Sequence, residues 1–157
     1  MSLAENIAKI AHTQIGVRET STNGGEKIEE YQRATWLPVG PWPWCAAFVD
    51  YVIQQAMVGG TWTFKRPRTA GAWDLENWCR SVDNSAKLHK PAKSVKRGDV
   101  VVYKFSHVGI AVCDSDKDGM VSVVEGNTNS DGEREGDGVY LKRRHLSKIR
   151  SVIRFTV

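Results

Sequence analysis

Residues 43–60 read P-W-C-A-A-F-V-D-Y-V-I-Q-Q-A-M-V-G-G. Within this stretch Cys45, Phe48, Val49, Val52, Ile53 and Ala56 fall at i, i+3, i+4, i+7, i+8 and i+11, the spacing of one apolar stripe along an α-helix. Upstream, Pro38 to Pro43 forms an extended, stiff connector, because each proline fixes its own φ and disfavours helix in the residue before it. Downstream, Gly59-Gly60 stops the helix. The chain is thus organised around a well-marked helix with a cysteine in its first turn.

Outward from this helix, Ser2 and Glu5 form a capping-box pattern ahead of Leu3, Ile7, Ile10 and Ala11, and Gly16 ends that segment. A polar turn over 21–25 precedes a short helix through Glu30 and Tyr31. A further helix is expected from Thr69 to about Ser81, with Trp73, Glu76, Asn77 and Arg80 at helical offsets. After Gly98 the pattern changes to apolar and aromatic runs at 100–105, 107–113, 120–125, 138–144 and 150–156, which read as strands separated by polar or glycine-rich turns. Helices first and an antiparallel meander second predict an α+β fold, with N-terminal helices packed on a C-terminal antiparallel sheet of about five strands. The 157 residues suit a single domain spanning 1–157.

Composition narrows the class. Hydrophobic residues are 41% and charged residues 25%, the balance of a soluble globular protein. No apolar run approaches the roughly 20 residues that cross a bilayer, so membrane insertion is not expected. The N-terminus lacks the basic start, apolar stretch and cleavage site of a secretory signal. The expectation is synthesis in the cytoplasm, with delivery by some other agent for any action outside it. The net charge is +4, with Lys142, Arg143, Arg144, Lys148, Arg150 and Arg154 clustered late. Such a run is usually a solvated face, the alternative being attraction to a polyanion such as nucleic acid or a cell-wall polymer.

The odd count of three cysteines argues against a disulfide framework, and no CxxC or Cys/His spacing suggests a zinc site. Each thiol is therefore read by its surroundings. Cys79, inside its helix, and Cys113, at the end of an apolar strand, read as structural. Cys45 differs. At a helix start it faces unpaired backbone N–H groups and the positive end of the dipole, both of which favour the nucleophilic thiolate. A base is found in the strand that opens at His107. Alternation places His107, Gly109 and Ala111 on one face, with Val121, Val123, Glu125 and Asn127 sharing a face of the next strand. A hairpin centred on Asp116 sets His107 opposite Glu125, with Asn127 one diagonal step away. An acceptor beside the imidazole, acid or amide, fixes its tautomer and steadies the imidazolium formed when it takes the thiol proton.

Four segments then combine: W-C-A-A-F-V at 44–49, R-G-D-V-V-V-Y at 97–103, H-V-G-I-A-V at 107–112 and E-G-N at 125–127. Together they resemble the CHAP family, the cysteine, histidine-dependent amidohydrolases and peptidases, over roughly residues 5 to 145. The run R-E-G-D-G-V-Y at 134–140 is similar to phage lysins and bacterial wall-active proteins of that kind. The resemblance implies a papain-like fold and cleavage of an amide bond in peptidoglycan, as an N-acetylmuramoyl-L-alanine amidase or a stem-peptide endopeptidase. It also implies Cys45 as nucleophile and His107 as general base and acid. By the same resemblance Glu125 looks like the third member, and Asn127 like a polar helper in orientation or oxyanion binding. No cofactor is implied. The partners implied are bacterial peptidoglycan and either a holin-type release system or, for an injected effector, an immunity protein. The expected state is a monomer.

Trp42, Trp44 and Trp73, with Trp62, are candidates to line a substrate cleft, the competing reading being core or rim packing. Residues 114–125 satisfy the EF-hand loop pattern D-x-[DN]-x-[DN]-G-x5-E. An EF-hand loop lies between helices, whereas both flanks here read as strands, so the segment is read as a polar hairpin turn with no metal. Two rivals to the wall-enzyme reading are a cysteine peptidase acting on a protein and a non-catalytic basic binding module. Nothing in the chain resembles a nucleic-acid motif.

Overall fold

The computed structural model describes residues 1–133 and 136–157. Arg134 and Glu135, which open the R-E-G-D-G-V-Y run, lie outside the described residues. Among the described residues four helices, α1 (Leu3–Thr13), α2 (Glu26–Gln32), α3 (Cys45–Ala56) and α4 (Asp74–Ser81), precede six strands. These are β1 (Ala86–His89), β2 (Val100–Tyr103), β3 (Val108–Ala111), β4 (Met120–Thr128), β5 (Gly138–His145) and β6 (Ile149–Phe155). They form one sheet in the order β1-β6-β2-β3-β4-β5, every neighbouring pair antiparallel. The α+β expectation holds, with one strand more than expected. β1 escapes a periodicity search because at four residues, Ala86–His89, its alternation is too short to stand out; it is an edge strand defined by pairing with β6.

The first helix begins as its sequence implies, with Ser2 Oγ accepting from the Glu5 N–H at 3.2 Å. α3 departs from the single-stripe expectation, since every residue but Gln54 and Gln55 is buried. It is a central helix. One side packs on β3 and β4, α1 and α2 lie against it, and it shares one buried core with Val108, Ile110, Val124, Ile153 and Phe64. α4 is shorter than expected. The Trp36 N–H binds the Arg68 carbonyl at 3.1 Å, tying the preceding segment to the α2–α3 connector rather than to a helix. On the other face of the sheet Val101, Tyr103, Ala111, Val121, Val123, Ile149 and Val152 form a second, smaller core. No helix among the described residues is long and apolar enough to cross a membrane.

The hairpin register corrects one expectation. Ile110 pairs with Val124 and Ala111 with Val123, two positions further along β4 than a turn centred on Asp116 would give. Continued, that register puts Gly109, not His107, across from Glu125. A shift of two preserves the face, because side chains alternate with period two. The turn is longer on the β4 side because Asp116 organises it: its Oδ1 accepts the N–H groups of Asp118 and Met120, each at 2.9 Å.

Candidate active site

Cys45 opens α3. Trp44, its N-cap, offers no capping oxygen, and the turn carries no acidic residue. The first N–H groups and the positive end of the helix dipole therefore face Cys45 with no capping side chain on them. The thiol is 6% exposed. Helix and sheet meet closely here through Gly126, where an added Cβ would stand 2.8 Å from both Phe48 Cβ and Trp44 Cζ3.

His107 immediately precedes β3 and is fully buried. Its Nε2 lies 2.9 Å from Glu125 Oε1. Glu125 is ionised and can only accept, so Nε2 carries the proton and donates, leaving Nδ1 as the second ring nitrogen. Nδ1 makes no conventional hydrogen bond with a described residue, and Cys45 is the group besides Glu125 that acts on the ring. Burial alone would pull the imidazole below its ordinary value; its interactions with Cys45 and Glu125 outweigh it and push the pKa up to about 9. The arrangement is a thiol, an imidazole and a carboxylate in series.

Two residues on this site were not read from the sequence. Glu125, 0% exposed, is also held by Arg144, whose Nε donates to Oε2 at 2.8 Å and whose Nη2 donates to Oε1 at 2.5 Å, and by Tyr103 Oη, which donates to Oε2 at 2.5 Å. Burial would push this carboxyl up, but hydrogen bonds from Arg144 and His107 hold it below the usual carboxylate range. The signal for Arg144 was parity: it pairs with Val121 in β5, so it shares a face with Glu125. The rings of Tyr103, Phe105 and His107 lie nearly parallel, 5.0–5.7 Å apart, walling the imidazole.

Asn127 adopts φ +57° at the point where the β4–β5 register shifts, and its buried amide hydrogen-bonds to no described residue. It continues the strand that carries Glu125. The tryptophans divide. Trp44 is fully buried, stacked on Tyr31 with its Nε1 donating to Glu19 Oε1 at 2.8 Å. That corrects its reading as a cleft residue: it is core, because α3 needs a large apolar cap where it meets Gly126. Trp73 is 41% exposed, donates through Nε1 to the Tyr103 carbonyl at 3.1 Å and carries Arg150 over its ring at 4.3 Å. Trp42 is half-buried, its Nε1 on the Pro38 carbonyl at 2.8 Å. Trp62 is likewise half-buried, packed against the main core.

The late basic cluster is largely neutralised from within. Arg143 pairs with Asp116, Arg144 with Glu125, Arg150 with Glu76 and Arg154 with Asp99. The EF-hand look-alike is not a helix–loop–helix: its last residue, Glu125, sits inside β4 and is taken up by Arg144 and His107. Cys79 is buried, and burial raises its thiol to about 11, as suits a structural cysteine. Asp50, fully buried on α3, has its carboxyl pushed well up by burial, against the opposing pull of Arg66 and Arg68.

Among solved structures, the fold is similar to that of a protein described as a wild type endolysin, LysIME-EF1, with a TM-score of 0.58 and 17% identity. The alignment covers 98% of this chain and 64% of that one, so this chain spans less than two thirds of that protein's length. No family model matches the chain, and no curated protein matches it.

Proposed function

We propose that this protein is a peptidoglycan hydrolase of the CHAP kind that cleaves an amide bond, either between muramic acid and L-alanine or within the stem peptide, by cysteine nucleophilic catalysis. The observation that carries this reading is the buried His107, set between a cysteine at an uncapped helix start and a fully hydrogen-bonded carboxylate. The endolysin-like fold supports the choice of wall polymer as substrate. Trp73 and Trp42 are the aromatic surfaces proposed to hold it, and Asn127 is the proposed polar helper. The enzyme is proposed to reach the wall after release or injection.

In this mechanism Cys45 Sγ, as thiolate, attacks the amide carbonyl. The developing oxyanion is held by the first-turn N–H of Cys45. His107, already an imidazolium, gives its Nδ1 proton to the leaving amine, and the amine departs. Water then enters, loses a proton to Nδ1 and attacks the thioester, which expels Cys45 as thiolate, releases the acid and restores the thiolate–imidazolium pair. Glu125 keeps its charge throughout and stabilises the imidazolium.

The test is digestion of purified peptidoglycan by the wild type and by Cys45→Ala and His107→Ala, with release of new amino groups as the readout. Both variants are expected to lose digestion while keeping the wild-type circular dichroism spectrum. Full activity in Cys45→Ala would overturn the proposal. Mass spectrometry of the fragments identifies the bond.

A further inference from the structure

The Glu125 carboxylate is occupied on every side. Oε1 receives His107 Nε2 and Arg144 Nη2; Oε2 receives Tyr103 Oη and Arg144 Nε. Arg144 Nη2 also donates to the Gly132 carbonyl at 3.0 Å, and its side chain is 14% exposed. Two features follow. The bidentate fork fixes the plane of the carboxylate, and with it the direction in which Oε1 faces the imidazole. The fork also brings a permanent positive charge, since a guanidinium stays protonated at any working pH.

The charges of the reactive state can be counted in order. Cys45 as thiolate is negative, His107 as imidazolium positive, Glu125 negative and Arg144 positive. The row is neutral with Arg144 and carries a net negative charge without it, in a place where unpaired charge is costly. The remaining groups facing it are Tyr103, a neutral donor from β2, and Asp50 on α3, which acts on Cys45 but itself faces Arg66 and Arg68. We propose that Arg144 is a positioning and charge-balancing residue: by neutralising Glu125 it lets the Cys45 thiolate and His107 imidazolium coexist in a buried site. This rests on the cysteine-nucleophile reading above. The role differs from that of a strand clamp, which would tie β4 to β5 without altering the ionisation of Cys45.

The experiment needs no wall substrate. Alkylation of Cys45 by iodoacetamide is followed against pH, with mass spectrometry to separate it from Cys79 and Cys113. In Arg144→Gln the acid limb of the rate profile is expected to move up by about one pH unit or more, an approximately tenfold loss of reactivity below the limb. Arg144→Lys, which restores the charge without the fork, is expected to bring the limb back to the wild-type position. If Arg144→Gln alone does not fold, the Arg144→Gln/Glu125→Gln pair, which leaves no unpaired buried charge, takes its place. Its limb is compared with that of Glu125→Gln alone, so that the effect of the amide on the imidazole cancels; it is expected about one pH unit higher, and superposed limbs for these two proteins would sink the proposal. Superposed profiles for wild type and Arg144→Gln would also overturn it. Superposition with undiminished peptidoglycan digestion removes the charge-balancing role and leaves the proposed function standing. A displaced limb in a protein that digests no peptidoglycan upholds the role and removes the function.

Discussion

At His107, burial disfavours the imidazolium while Cys45 and Glu125 favour it, and the second effect prevails. The direction of the shift sets the pH behaviour. A pKa raised in the folded state contributes stability that is fully present below the unfolded value of about 6.5. That contribution is lost as pH rises through about 9. Peptidoglycan digestion is therefore expected to decline on the alkaline side with a midpoint near 9, read from initial rates across a pH series. Cys45 supplies much of the upward push, so in Cys45→Ala the His107 titration followed by NMR is expected to fall back toward its ordinary value. A midpoint unchanged from wild type would mean that thiol and imidazole do not interact. Glu125→Gln keeps the shape of the side chain and removes its charge. It is expected to cost roughly a hundredfold or more in turnover, because the amide can stabilise the wrong ring tautomer.

Hairpin β3–β4 and helix α3 bring these residues together through glycines. A Cβ on Gly109 would meet Glu125 Cγ and Val123 Cγ1 at 2.7 Å and the Val124 carbonyl at 2.8 Å. Backbone and branched side chains cannot yield at that distance, so β4 must shift. Gly109→Ala is expected to destabilise the fold by about 1–3 kcal/mol, the usual cost of overpacking a core, measured by urea unfolding. Gly126→Ala drives instead against Phe48 and Trp44 and would push the start of α3 away from the sheet. Its distinguishing result is slower alkylation of Cys45 at a pH where the wild type reacts fully. Stability and alkylation rate both equal to wild type would show that helix and strand are not in contact at Gly126.

The molecule as a whole carries buried carboxyls of opposite behaviour. Glu76, 2% exposed, joins α4 to β6 by accepting from Arg150 Nε at 3.0 Å and Ser151 Oγ at 2.6 Å. Burial opposes its charge, but these partners hold its pKa low, as Arg144 and His107 do for Glu125. Depressed carboxyls contribute stability above their unfolded pKa and lose it as pH falls through the folded one, so the melting temperature is expected to drop on the acid side. Asp50 works the other way. Its raised pKa means that the folded state binds the proton more tightly, so its contribution worsens as pH rises above the unfolded value. Asp50→Asn is therefore expected to gain melting temperature relative to wild type between about pH 4 and pH 8. A constant difference across that range would contradict the assignment.

Much of this architecture was legible because it is local or obeys parity. Capping at Ser2, the run from Cys45 to Ala56 and the strand runs after Gly98 depend on neighbours in the chain. The shared face of His107 and Glu125 depends only on the two-residue period of a strand, so it survived a register displaced by two positions. What the tertiary structure alone decided was non-local: the hairpin register, the pairing of β1 with β6, the burial of Trp44 and the grip of Arg144 and Tyr103 on Glu125. Alternation specifies a face but not a partner. A long side chain such as Arg144 finds its carboxylate only when twist, bulge and packing have brought distant strands within hydrogen-bond reach.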